Sequence, residues 1–132
     1  MPVTYRIDKT NGIIYTHCIG EVTLREVIDH FRTLENDPEC PDRLDVLLDL
    51  TQQTTLPRTE ELQEVAVEIS RVRGRVQFGA CAIIVTNQAL FGMLRMFEVF
   101  VEQHFRESYV FRTTHEAETW LASKRPTTSE AS

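Results

Sequence analysis

The chain has 132 residues, 42% of them hydrophobic, which is enough for one sizeable core and too apolar for a disordered chain. Twenty acids against fourteen bases leave a net charge of −6, which argues against nucleic acid or a strongly anionic membrane as the main partner. No apolar run approaches the ~20 residues of a membrane span, and MPVTYRIDK lacks the apolar stretch of a secretory signal. The expected setting is the cytoplasm, without stable membrane insertion. The three cysteines fit that setting as free thiols.

Val3, Tyr5 and Ile7 alternate with polar residues, the period of a half-exposed strand. Asn11-Gly12 marks a hairpin turn into a second strand over Ile13–Ile19. Thr23-Leu24-Arg25-Glu26 is a capping box. It opens a helix to about Leu34, stopped by Asn36-Asp37-Pro38. Cys40, in the DPECPD loop that follows, is expected to be exposed. Cys18 and Cys81 read as small core hydrophobes.

Val46, Leu47, Leu48 and Leu50 form a central strand covered on both faces. The polar loop Thr51–Thr59 follows its carboxyl end, where α/β folds place their working loops. Thr59 is the expected cap of the next helix, whose apolar stripe runs from Leu62 to Val72. Its glutamates lead and its arginines trail, as the helix dipole favours. FGACAIIV, residues 78–85, is another buried strand. Asn87 then caps an apolar helix expected over Ala89–Phe105, with an apolar arc of about half the cylinder. Such an arc fits packing beside a neighbouring helix, a homodimer contact or an apolar-ligand wall. The residues proposed for the last two roles are Phe91, Met93, Met96, Phe97 and Phe100. Residues 109–112 form the last strand, and Thr113 with Glu116 caps a closing helix. Residues 1–123 are therefore expected to form one domain, and the polar residues 124–132 a disordered tail. The order ββαβαβαβα implies an α/β fold with an N-terminal hairpin and a mixed, mostly parallel sheet.

The chemistry-bearing inventory is thin. No nucleotide-binding, metalloprotease or nucleophile-elbow pattern occurs. The four histidines are dispersed, without metal-ligand spacing, so neither cofactor nor metal is expected. No catalytic residue is assigned, and the chain is expected not to be an enzyme. Asp49, alone in its leucine-rich strand, is expected to bond the backbone of the following loop. Asp49, Thr51, Thr54, Thr55, Arg58 and Thr59 form the candidate loop for a protein partner or a phosphate switch. A phosphate at Thr59 would meet the helix dipole and Arg58 but would repel Glu60 and Glu61.

The hairpin, the GEVT stretch opening a helix and the strand ending Asp49-Leu50-Thr51 together resemble the SpoIIAA-like group of bacterial domains. That group includes the STAS (anti-sigma factor antagonist) fold and STAS/SEC14-type proteins. The closing residues Glu116-Ala117-Glu118-Thr119-Trp120-Leu121 resemble the ending of the latter set. The resemblance implies a SpoIIAA/STAS-like fold that is bound by a protein partner, or that holds a small lipophilic ligand, rather than one that turns over a substrate. STAS antagonists carry a phosphorylated serine in Asp-Ser-Ser-Gly. The corresponding place here is Pro57-Arg58-Thr59-Glu60, where Thr59 is the one hydroxyl and both the acidic residue and the glycine are missing.

Overall fold

A computed structural model describes residues 2–124. The elements are β1 (Val3–Asp8), β2 (Ile13–Gly20), α1 (Leu24–Glu35), β3 (Arg43–Gln53), α2 (Thr59–Val72), β4 (Gln77–Ile84), α3 (Gln88–Phe100), β5 (Glu107–Phe111) and α4 (Thr114–Lys124). The five strands lie in the order β1-β2-β3-β4-β5. β1 runs antiparallel to β2, and every other neighbouring pair is parallel. The chain is thus α/β with the expected mixed sheet. The tight turn before β2 needs Gly12, whose φ is +66°.

Alternation along the strands divides the core in two. Ile14 and Cys18 of β2, Leu44 and Leu50 of β3, and Cys81 and Ile83 of β4 face one way, against α1, α2 and α3. Parallel crossovers of one hand bring successive helices to a single face. Leu47, Ala80, Ala82 and Ile84 face the other way and pack with Ala117 and Leu121 of α4, with Tyr15, Phe111 and Trp120 at the margin. Alanines at those sheet positions let the short helix sit close. α4 reaches β3, β4 and β5, so the outer face of β1 and β2 lies beyond it. Gly79 marks a bulge. Leu44 pairs with Phe78 while Val46 pairs with Cys81, which puts one extra residue into β4 and both Phe78 and Cys81 on the inner face.

Several local expectations are corrected. Cys40 is 4% exposed, because its loop folds back on the body. Tyr5 Oη donates to Asp37 at 2.6 Å, and Arg75 Nη2 donates to the Cys40 carbonyl at 2.6 Å. Burial raises the Cys40 pKa. The apolar helix is shorter than its pattern, ending at Phe100. A turn through Val101 then brings Phe105 back against Phe78, ring centroids 5.4 Å apart. Phe105 is therefore buried by the turn and not by the helix. Thr59 is the first residue of α2, and Arg58 occupies the cap position. Lys124, expected to open the tail, closes α4 with its Nζ 3.1 Å from Glu107. The rest of that expected tail lies outside the described residues.

Candidate functional site

The inner face is not completely filled. A cavity of about 150 Å³ lies between the sheet and the helices α1 and α2. Its walls include Val46 and Leu48 of β3, Val27 and Phe31 of α1, and Leu62 and Val65 of α2. Thr16, Thr23, His30, Gln53 and Glu61 are the polar exceptions in the lining. Burial pushes His30 down to about 4, so the ring is neutral at pH 7, edged against Tyr5 at 5.3 Å and beside Phe31 at 5.1 Å. Cys18 also lines the cavity. Burial first, and the Asp49 charge second, push its thiol up to about 12. A thiol held protonated is a weak nucleophile. The chemistry of this space is apolar contact.

The loop after β3 stands at one end of the cavity. Leu56 and Pro57 both line it, and Leu56 is also 54% exposed, so it bridges cavity and solvent. Strand β3 runs on to Gln53, leaving residues 54–58 as the loop. Thr55 anchors this loop to the segment before α1. Its hydroxyl accepts from the Val22 amide and donates to the Val22 carbonyl, both at 3.1 Å. The Thr54 amide donates to the Gly20 carbonyl at 2.9 Å, and Gln53 Nε2 to the Thr55 carbonyl at 2.9 Å. Arg58 is held locally: its amide donates to Glu61 Oε1 at 2.8 Å.

The six candidate loop residues therefore divide. Thr54, Thr55, Arg58 and Thr59 flank Leu56 and Pro57 at the cavity end, and none of the four is in its lining. Asp49 and Thr51 belong to the outer sheet face. Asp49 Oδ1 accepts from the Thr51 amide at 2.9 Å and from the Thr51 hydroxyl at 2.7 Å, the backbone role expected of it. The second oxygen has a histidine of β2 as its neighbour. His17 Nε2 lies 3.6 Å from Asp49 Oδ2, because β2 and β3 are parallel and in register at these two residues. That distance is beyond a hydrogen bond. His17 points away from the cavity that Thr16 and Cys18 line on either side of it.

The α3 residues were expected to wall a ligand or a dimer. Of these, Phe97 lines the cavity. Phe91, Met93 and Phe100 pack against the chain's own core, with the Arg112 guanidinium 4.1 Å above the Phe91 ring. Met96 is half-buried. The cavity's helical walls thus come mainly from α1 and α2. Those helices carry no cluster of aromatic or methionine residues to announce it.

Among the described residues, no group of three His, Cys, Asp or Glu side chains could hold a metal ion. Among them too, no helix is long and apolar enough to cross a membrane.

No family model matches the chain, and no curated protein matches it. A solved structure does. It is an uncharacterised protein of the DUF3478 family from Shewanella loihica, with a SpoIIAA-like fold. The likeness covers 90% of this chain and 91% of that one, at 16% identity and a TM-score of 0.60. The layered sheet described above, hairpin first, has a SpoIIAA-like fold.

Proposed function

We propose that this domain is a non-catalytic binder of one small apolar molecule, held between β2–β3 and the helices α1 and α2. The cavity carries the reading. Well-packed interiors leave few voids larger than a water, and an apolar void of ~150 Å³ elsewhere stays dry and takes up benzene. Here the space has a comparable volume and a loop bearing a solvent-facing leucine at its end. Volume also limits the class. Drug-sized ligands occupy roughly 300–1,000 Å³, so the fit is to a single ring or a short aliphatic chain. A phospholipid is too large.

The test uses benzene and indole as probes. Saturation at ~100 times Kd should stabilise the fold by about 2.7 kcal/mol. That is a rise in Tm of roughly 8–13 °C for a domain of this size. Val65→Phe, which fills the space from α2, should abolish the rise while the protein remains folded by circular dichroism. A Tm that neither probe moves, or moves equally in Val65→Phe, removes the reading.

A second reading, a regulatory domain recognised by a protein partner, rests on the same edge. Leu56 is 54% exposed and Val67, on α2, is 69% exposed. Two exposed apolar side chains, one on the loop and one on the helix that follows it, would suit a partner's contact. Pull-down with Arg58→Glu and Val67→Glu separates the readings, since neither substitution touches the cavity's volume. Loss of a specific partner supports the second reading, and an unchanged partner set counts against it.

A further inference from the structure

The amino ends of β3 and β4 and the start of β5 border a polar cleft of about 790 Å³. It lies at the far end of the sheet from the loop over residues 54–58. Three guanidinium groups line it from three places in the fold. Arg43 opens β3, Arg73 follows α2, and Arg106 precedes β5.

These three differ from the other arginines of the described chain. Arg25, Arg32, Arg58, Arg71, Arg75 and Arg95 each lie within 4.0 Å of a carboxylate. Arg6 and Arg112 sit over the rings of Tyr15 and Phe91. Arg43, Arg73 and Arg106 have neither kind of partner among the described residues. In a chain with an excess of acids, the guanidiniums that among the described residues have neither a carboxylate nor a ring beside them are gathered in one cleft.

The remaining cleft groups do not cancel that charge. His104 Nδ1 lies 3.1 Å from Arg73 Nη1, and burial, with Arg73 adding to it, lowers the His104 pKa. The ring is therefore neutral at pH 7 and serves as an acceptor that holds Arg73 in place. Arg106 Nη2 donates to the Lys124 carbonyl at 3.2 Å, which fixes the side chain without neutralising it. Asp45 is the one acid in the lining. Its Oδ1 is occupied by the Ala80 amide at 2.9 Å. Three cations against one carboxylate leave an excess positive charge, and a cleft with low-dielectric walls concentrates such a field. The amides of Gln77 and Gln103 add neutral donors at the rim.

We propose that this cleft binds a small molecule through a phosphate group carrying at least two negative charges. Guanidinium forks match phosphate oxygens bidentately. Three forks lining one cleft suit a diphosphate or a phosphate monoester better than a single carboxylate. The cleft volume lies within the range of small-molecule sites. This site is separate from the apolar cavity, and either can fail without the other.

Inorganic pyrophosphate is the probe, titrated into the intact protein and followed by amide chemical shifts and by calorimetry. Saturable shifts are expected at Gly12, Gln77, Gly79 and Arg106, with affinity falling as salt rises. Arg43→Ala, Arg73→Ala and Arg106→Ala should each weaken binding by about tenfold, the loss of one charge-assisted contact. Arg25→Ala makes the same charge change on the exposed face of α1 and should leave binding intact. Acetate, with a single charge, should bind far more weakly. No saturable shift with pyrophosphate, shifts elsewhere in the chain, or an equal loss in Arg25→Ala would each overturn the proposal.

Discussion

The hydroxyl of Thr55 lies 3.1 Å from both the amide nitrogen and the carbonyl oxygen of Val22, so one side chain closes the gap between two segments 33 residues apart. Neither backbone group of Val22 belongs to a strand or helix, and both are part-buried here. Thr55→Val keeps the shape and removes the hydroxyl, leaving both groups unpaired. A loss of roughly 1–2 kcal/mol is expected, with faster amide exchange at Val22. If the cavity takes a ligand, its exchange should quicken as well. Thr54→Val, at an exposed neighbour, is the control and should change neither.

His30 gives a pH dependence with a definite window. Its folded pKa is depressed to about 4 by burial, against ~6.5 in an unfolded chain. The unfolded state therefore binds the proton more readily. The stabilisation is fully present above pH 6.5 and is lost as pH falls toward 4. Integrated over the window, the loss approaches about 3 kcal/mol. The lowered carboxylates Asp37 and Glu68 lose their own contribution only below the ordinary carboxylate range, so the interval between pH 6.5 and 4.5 belongs to His30, with His104, whose pKa is also lowered, adding in the same direction. Denaturant midpoints measured across it should fall for the wild type and fall much less for His30→Phe.

Much of this architecture could be read from the residues because each element carries its own local signal. The hairpin turn at Asn11-Gly12, the box at Thr23 and Glu26, and the asparagine before α3 all act within four residues of themselves. Features set by chain meeting chain were not legible. Cys40 is buried by Tyr5 and Arg75, residues 35 positions away in each direction. His17 faces Asp49 only because β2 and β3 turn out to be parallel and in register. The cavity is harder still to foresee, since a pattern of apolar residues records which side chains face inward and not the gap left between them.

Gly79 is constrained by Asp45. A methyl group at residue 79 would stand 2.4 Å from Asp45 Oδ1, and that oxygen is held by the Ala80 amide at 2.9 Å. The carboxylate is short and pinned, so it yields only by giving up its hydrogen bond. Gly79→Ala should cost about 1–3 kcal/mol, the usual range for overpacking. In Asp45→Ala the obstruction is gone. Adding Gly79→Ala to that background should cost much less than it does in the wild type, a coupling that a double-mutant cycle reads directly.

Glu68 ties α1 to α2 through Arg71. Its side chain is only 8% exposed, yet it carries a charge, which is costly to bury unless it is paired. Arg71 Nη2 meets Glu68 Oε2 at 2.6 Å, while its two terminal nitrogens reach Glu35 on α1 at 2.9 and 3.0 Å. Arg71 is thus the hinge of the network and Glu35 its outer member. The bond from Arg71 is the largest cause holding Glu68 below the usual carboxylate range. That contribution is present above the unfolded carboxylate pKa and is lost as pH falls below it. Arg71→Ala strands a buried carboxylate with only the 3.7 Å contact to Arg32, and should lower Tm more than Glu35→Ala, which removes a more exposed partner. Arg71→Ala/Glu68→Leu should recover part of the loss, because no unpaired charge remains. Of the three variants, Arg71→Ala should give the lowest thermal melt at pH 7. A double variant no more stable than Arg71→Ala would mean that the α1–α2 contact depends on the ion pair and not on relieving the buried charge.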